Sequence, residues 1–168
     1  MTQWLKSGAT AVITGGAGGI GLAAAQHFAT AGMNLVLVDM KEAELETAAA
    51  TLSDLGAQVM TERCDVSDLA ALQALQTKVT ERFGPVHCLM NNAGIGRMGT
   101  KPWEDIDAFH KTIAINLFGV VNGCNAFIPS MLEHGQPGAV INTASKQGIT
   151  RPPGNYAYNL SKSGALAY

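Results

Sequence analysis

The sequence predicts an α/β fold in which a parallel, doubly wound sheet lies between two layers of helices (three layers, α/β/α). Three observations predict it. Short apolar runs alternate with longer segments of helical period along the chain. The runs are near-continuously apolar rather than alternating, as in strands covered on both faces. The composition is that of a chain with a core: 47% hydrophobic and 14% charged, where about 25% charged is typical. Strands and helices in alternation wind right-handedly into parallel sheets. The same figures exclude a disordered chain. A net charge of −2 argues against a nucleic-acid-binding surface built on phosphate contacts. The 19 glycines show no three-residue period, which excludes collagen. One domain over residues 1–168 is expected.

Taken in order, residues 9–13 form the first strand, and glycines then break the run before helix 20–31. Leu35, Val36, Leu37 and Val38 make 34–39 the second strand, followed by helix 42–55. Residues 58–61 are the third strand, 68–83 the next helix, and 86–90 the fourth strand. The long helix 106–133 repeats Ile106, Phe109, Ile113, Leu117, Val120, Cys124, Phe127 and Met131 at spacings of three or four, one face of a helix. Ile115, Val121, Ile128 and Leu132 add a second apolar stripe, so two covers are needed. The sheet supplies one; a second subunit or a neighbouring helix supplies the other. Residues 139–143 are the fifth strand. Pro152-Pro153-Gly154 reads as a loop, with Asn155 as N-cap of the last helix.

The run at 9–13 is too short and too soon broken by glycine to be a signal-peptide core. No run reaches the 18 or so consecutive apolar residues of a membrane span. Cys64, Cys88 and Cys124 are odd in number and widely spaced. They fit buried free thiols in a reducing cytoplasm better than a disulfide framework or a zinc site. His27, His87, His110 and His134 form neither metal spacing nor a nucleophile pair. No metal, membrane or nucleic-acid partner is expected.

The chemistry begins at Thr14-Gly15-Gly16-Ala17-Gly18-Gly19-Ile20-Gly21, between the first strand and the first helix. Glycines there allow φ > 0, let the backbone approach a diphosphate and bring helix close to strand. The helix then offers free N–H groups and the positive end of its dipole. A Rossmann-type dinucleotide site follows from that position. The second strand ends at Asp39, placed to accept hydrogen bonds from the adenosine ribose and to repel a 2′-phosphate. The turn holds no basic residue and Met40 follows Asp39, so NAD is expected over NADP, with Lys41 the one nearby cation.

These residues carry a resemblance. Thr14-Gly15-x-x-x-Gly19-x-Gly21, then Asn91-Asn92-Ala93-Gly94, then Tyr158-x-x-x-Lys162, resemble the short-chain dehydrogenase/reductase family from about Thr10 to Lys162. The match is to its smaller single-domain branch, with three residues between the first two glycines. Epimerases and dehydratases of the same fold usually have the tighter spacing. The resemblance implies an oxidoreductase acting on CH–OH groups, with Gly15, Gly18, Gly19, Ile20, Gly21, Asp39, Asn92, Ala93 and Gly94 around NAD. It implies that Asp65 and Val66 contact the adenine ring, and that Asn116, Ser145, Tyr158 and Lys162 are catalytic. Ala144 stands where relatives often carry a second serine, and Thr143 is a weaker alternative to Ser145 within the strand.

Elementary chemistry supports those roles. Tyr158 and Lys162 are four apart on a helix and share a face. A neighbouring ammonium stabilises a phenolate, which makes a tyrosine a usable base. Tyr158 would exchange the proton of an alcohol or ketone oxygen, while Ser145 hydrogen-bonds that oxygen. Lys162 would also hold the nicotinamide ribose, and the family analogy has Asn116 order a water beside it. Tyr156 has Leu160 at its +4 position and so lacks a cation. Trp4 and Trp103 have no catalytic context. Gln147, Gly148, Ile149 and Arg151 are expected to line part of the substrate pocket. The rival reading is a dinucleotide-binding sensor or scaffold without turnover, which would have no need of Ser145, Tyr158 and Lys162 together. A homodimer or homotetramer is expected through helix 106–133 and the last helix. The last helix carries no stop signal before Tyr168, and relatives continue through further strands, so the chain is expected to be part of a longer enzyme.

Overall fold

The computed structural model describes residues 3–96 and 101–168. Five strands form one all-parallel sheet in the order β3-β2-β1-β4-β5. They are β1 (Thr10–Thr14), β2 (Asn34–Asp39), β3 (Val59–Arg63), β4 (Val86–Asn91) and β5 (Ala139–Asn142). The helices are α1 (Gly19–Thr30), α2 (Glu42–Asp54), α3 (Leu69–Phe83), α4 (Ile106–Ile113), α5 (Gly119–Glu133), α6 (Gln147–Thr150) and α7 (Tyr156–Ala167). The expected three-layer architecture is present.

Alternate residues of the apolar strands feed different layers, because successive side chains leave a strand on opposite faces. Ala11, Ile13, Leu35 and Leu37 pack with Ala25 and Phe28 of α1 and Leu45 and Leu52 of α2. Val12, Val36, Val38 and Leu89 pack with Leu72, Leu75 and Val79 of α3 and Phe127 and Met131 of α5. β3 is the edge strand beyond β2, and its Thr61 and Arg63 are exposed.

The expected single helix 106–133 differs from the observed one. Residues Ala114–Phe118 form a π-helical turn between α4 and α5. By length and composition the whole run Ile106–Glu133 would suffice to cross a membrane, although no 18 consecutive residues of it are apolar. Here its stripe of Val120, Cys124, Phe127 and Met131 is buried, with Phe127 and Met131 on the sheet. Part of the second cover comes from the same chain: Ala165 of α7 packs with Val120, Cys124 and Ile128. Gly164 sits so close that a methyl group there would lie 2.9 Å from Leu117. Leu132 remains 76% exposed.

The carboxyl ends of β1 and β4 set the position of the site. From β1 the chain winds outward through β2 and β3, then returns to β1's other side as β4. Open α/β sheets leave a crevice at such a reversal, where ligands settle.

Candidate active site

The glycine turn follows β1 and is held from three directions. Gly16 donates its N–H to Val38 O (3.1 Å), and Ala17 donates its N–H to the Asp39 carboxylate (3.4 Å). The side-chain amide of Asn92 donates to Thr14 O (3.1 Å) and Gly15 O (3.3 Å). Gly15 and Gly19 adopt φ of +65° and +53°, a region that disfavours side chains. The glycines divide by what a side chain would meet. At Gly15 a methyl would lie 2.9 Å from the Ala93 backbone, and at Gly21 it would overlap the Gly15 carbonyl. At Gly18 and Gly19 it would meet nothing within 4 Å. Gly15 and Gly21 are therefore demanded by packing, whereas Gly18 and Gly19 leave open space above the start of α1.

That space belongs to a cavity of about 650 Å³, lined by Gly15, Gly18, Gly19, Asp39, Asp65, Val66, Asn92, Ala93 and Gly94 among others. Asp39 ends β2; one carboxylate oxygen accepts from the N–H of Met40 (2.8 Å) and Lys41 (3.3 Å), and the other from Ala17. It does not cap α2, whose N-cap residue is Lys41. Asp65 follows β3 and accepts from the N–H (2.9 Å) and hydroxyl (2.7 Å) of Ser67. Buried Val66 abuts Gly119, where a methyl would lie 2.6 Å away.

A second cavity of about 530 Å³ adjoins the first through Asn92, Gly94 and Ile95. Ile20, Ser145, Tyr158 and Lys162 line it. Tyr158 and Lys162 come from one face of α7, and the ammonium lies 5.9 Å from the Tyr158 ring centroid. The Lys162 ammonium, nearly inaccessible, donates to Thr143 O (2.7 Å). Burial holds its pKa below the ordinary lysine value, because desolvation disfavours the charged form. Ser145 follows β5, and its hydroxyl oxygen accepts the N–H of Gln147 (3.2 Å). Thr143 lies one residue past β5 rather than within it. Its hydroxyl donates to the Asn92 side chain (3.2 Å), so it is occupied in tying the two strand ends together.

Asn116 sits in the π turn with no exposed surface. It accepts the Ile95 N–H (2.8 Å) and donates to Ile95 O (2.8 Å), and donates to the Ser161 hydroxyl (3.3 Å). It thus fastens the segment after Asn92-Ala93-Gly94 onto the helix that faces α7. π-helical turns occur frequently at functional sites.

Several expectations are corrected. Of Gln147, Gly148, Ile149 and Arg151, only Gln147 lines the second cavity. Gly148 is packed against the Lys162 carbonyl, where a methyl would lie 2.6 Å away. Ile149 is exposed, and Arg151, at φ +47°, turns its guanidinium back to Gly148 O (3.4 Å). Asn155 stands at the N-cap position of α7, but its side chain makes no cap; its amide donates to the Gln147 carbonyl oxygen (2.9 Å). Lys41 is not the only cation near Asp39's cavity. It pairs with Glu44 (3.7 Å), and Lys111 of α4 lines the same cavity. No spacing in the sequence signalled Lys111. Tyr156 lies outside the second cavity and packs its ring on Trp103, with centroids 5.7 Å apart. Among the described residues no group of three or more His, Cys, Asp or Glu side chains could hold a metal. The three cysteines are free and buried.

Comparison with known proteins agrees with this geometry. The chain is 36% identical over 159 residues to 1-deoxy-11-beta-hydroxypentalenate dehydrogenase of Streptomyces arenae, covering 94% of this chain and 56% of that one. It superposes on a short chain dehydrogenase/reductase from Burkholderia phymatum, solved with NAD, at a TM-score of 0.94 and 38% identity, covering 99% of this chain and 59% of that one. A carveol dehydrogenase from Mycobacterium avium, also solved with NAD, gives a TM-score of 0.90 at 28% identity, covering 96% and 63%. The chain spans a little over half the length of the relatives it matches. The family described as short chain dehydrogenase matches residues 9–168, and with that glycine turn and that sheet the chain belongs to it.

Proposed function

We propose that the chain forms the dinucleotide-binding and catalytic portion of an NAD-dependent oxidoreductase acting on an alcohol or ketone. The observation that carries this reading is the convergence of Ser145, Tyr158 and Lys162 on one cavity that opens into the glycine-turn cavity. The residues fit a dinucleotide. Gly18 and Gly19 leave room for a diphosphate, and the first N–H groups of α1 have no intrahelical partner to compete for it. Asp39, at the rim of that cavity, accepts from ribose hydroxyls and repels a 2′-phosphate. Asp65 and Val66 receive the adenine, and Asn92, Ala93 and Gly94 border the path towards Tyr158. When bound, the nicotinamide supplies or accepts the hydride.

The chain's own residues manage the proton. Ser145 already accepts from Gln147 N–H, so its hydroxyl hydrogen is free to donate to the substrate oxygen and stabilise its developing charge. Tyr158 gives or takes the proton of that oxygen. Lys162 stabilises the phenolate and holds the nicotinamide ribose; its burial loosens its own proton, which suits a relay. Asn116 keeps Ile95 and the adjoining Gly94 in place beside it. The half-buried second stripe of α5, with exposed Leu132, Leu166 and Tyr168, supports a homo-oligomer through α5 and α7.

Replacing Tyr158 with Phe tests the mechanism. Turnover is expected to fall by about 10²–10⁴ while NADH still binds, as read by nicotinamide fluorescence. Unchanged turnover would overturn the role of Tyr158. A protein that binds NADH and turns over no alcohol or ketone even with Tyr158 intact would be the sensor or scaffold instead.

A further inference from the structure

We propose that Gln147, held by Asn155, is a specificity-determining residue that reads a second, uncharged acceptor oxygen on the substrate. The inference rests on the reading of Ser145, Tyr158 and Lys162 given above. Most polar groups of the second cavity are already occupied. Asn92 spends its amide on Thr14, Gly15 and Thr143. The Thr143 hydroxyl is bound to Asn92. Ser145 and Tyr158 address the reacting oxygen, and Lys162 serves the phenolate and the nicotinamide ribose. Gln147 and Asn155 are the polar side chains of that lining left over.

These two are bound to each other in a defined sense. Asn155 is buried, and its amide N–H donates to the Gln147 carbonyl oxygen at 2.9 Å. That bond occupies the acceptor end of Gln147 and fixes the rotation of its amide. Among the described residues the NH₂ end has no hydrogen-bond partner. It is a donor in search of an acceptor, on a cavity that a substrate must enter. Its backbone is tied to the reaction centre, because the same residue gives its N–H to the Ser145 hydroxyl. The second donor is therefore held in fixed relation to the first.

The charge of the cavity narrows the partner. Lys162 is the one charged side chain among its described lining, and its ammonium is engaged with Thr143 O. Among the described lining no second cation is present to pair with a carboxylate. A neutral oxygen near the reacting carbon, as in an α-hydroxy ketone, a diketone or a polyol, matches a lone amide donor. Sites built to hydrogen-bond a substrate group reject analogues that lack it, because the protein group is then left unpaired.

The test compares 2-hydroxycyclohexanone with cyclohexanone as oxidants of NADH. The unmodified protein is expected to favour the dioxygenated ketone in kcat/KM by about tenfold, the worth of one neutral hydrogen bond, with the difference in KM rather than kcat. Gln147→Met keeps the length and removes the amide; the ratio should fall to near one. Asn155→Asp places an acceptor beside Gln147, draws its NH₂ away from the cavity and turns the carbonyl oxygen inward. The ratio should fall there too, which a merely structural tie between α6 and α7 would not produce. The same ratios should appear as dissociation constants for the NADH-bound Tyr158→Phe protein, a readout independent of turnover. A ratio near one in the unmodified protein, or one unchanged by either substitution, overturns the role of Gln147. If Tyr158→Phe retains full turnover, the mechanism itself has failed, a result distinct from a lost preference.

Discussion

Gly18 and Gly21 stand three residues apart in one turn, yet packing demands only Gly21. A methyl at Gly21 would run into the Gly15 carbonyl, whereas one at Gly18 would point into open space. Gly18 is also in extended backbone, at φ −170°, which any residue adopts. Gly18→Ala should leave the melting temperature within about 2 °C, as an unstrained surface change within ±0.5 kcal/mol does, and should weaken NADH binding at least tenfold in a fluorescence titration. Gly21→Ala should instead destabilise the fold by about 1–3 kcal/mol through overpacking. Cys88 makes a prediction of a different kind. It is fully buried in β4, and burial pushes its thiol pKa up to about 12 from the ordinary 9.0. The folded protein keeps that proton where the unfolded chain has lost it, so this stabilisation is complete below pH 9 and is lost as pH rises towards 12. Each unit in that window should remove up to about 1.4 kcal/mol. Urea midpoints at pH 8, 9 and 10 would show the fall, and Cys88→Ala should make it shallower, the slope that remains coming from Cys64 and Cys124, whose thiols burial also pushes up.

At the scale of the element, the π turn repays attention because Asn116 lies in it. Its side chain satisfies both backbone groups of Ile95, so Asn116→Ala would leave a part-buried donor and acceptor without that partner. A loss of about 1–3 kcal/mol is expected in denaturant unfolding, together with reduced turnover, because Ile95 lines both cavities. An equally stable variant would show that the segment is held by other means. The same turn marks where sequence reasoning ran out. The five strands and most helices were legible, because buried parallel strands write themselves as apolar runs bounded by glycine and loop residues. β3 was the least well bounded: it continues to Arg63, since an edge strand need not be apolar throughout. The interruption of helix 106–133 left no local trace, because the partner of Asn116 is 21 residues away. The four-residue α6 was equally silent, as was Lys111, whose place on the cavity depends on the tertiary placement of α4. The glycine turn, Asp39, Ser145, Tyr158 and Lys162 were legible because they sit at strand ends or one helical turn apart, where spacing fixes position. The pairing of Gln147 with Asn155 was not, since it spans a loop whose path no periodicity records.

For the molecule as a whole, binding at the β1–β4 crevice is linked to stability. NAD at a hundred times its dissociation constant should stabilise the fold by about 2.7 kcal/mol, a rise of about 5–10 °C in melting temperature for a chain of this size. NADP at equal concentration should raise it less, and Asp39→Ala should narrow the gap. A larger rise with NADP would remove Asp39 from the discrimination. The sheet order has a consequence for how the protein is made. One neighbour of β1, β2, is the next strand in the chain, but the other edge of β1 must wait for β4, and Thr14 receives the N–H of Asn92 across 78 residues. Until β4 inserts, the central strand carries an open, wholly buried-type edge, the condition under which slow pairing competes with self-association. Refolding yield should therefore depend on how quickly β4 arrives, and any ligand of that crevice meets a finished sheet or none at all.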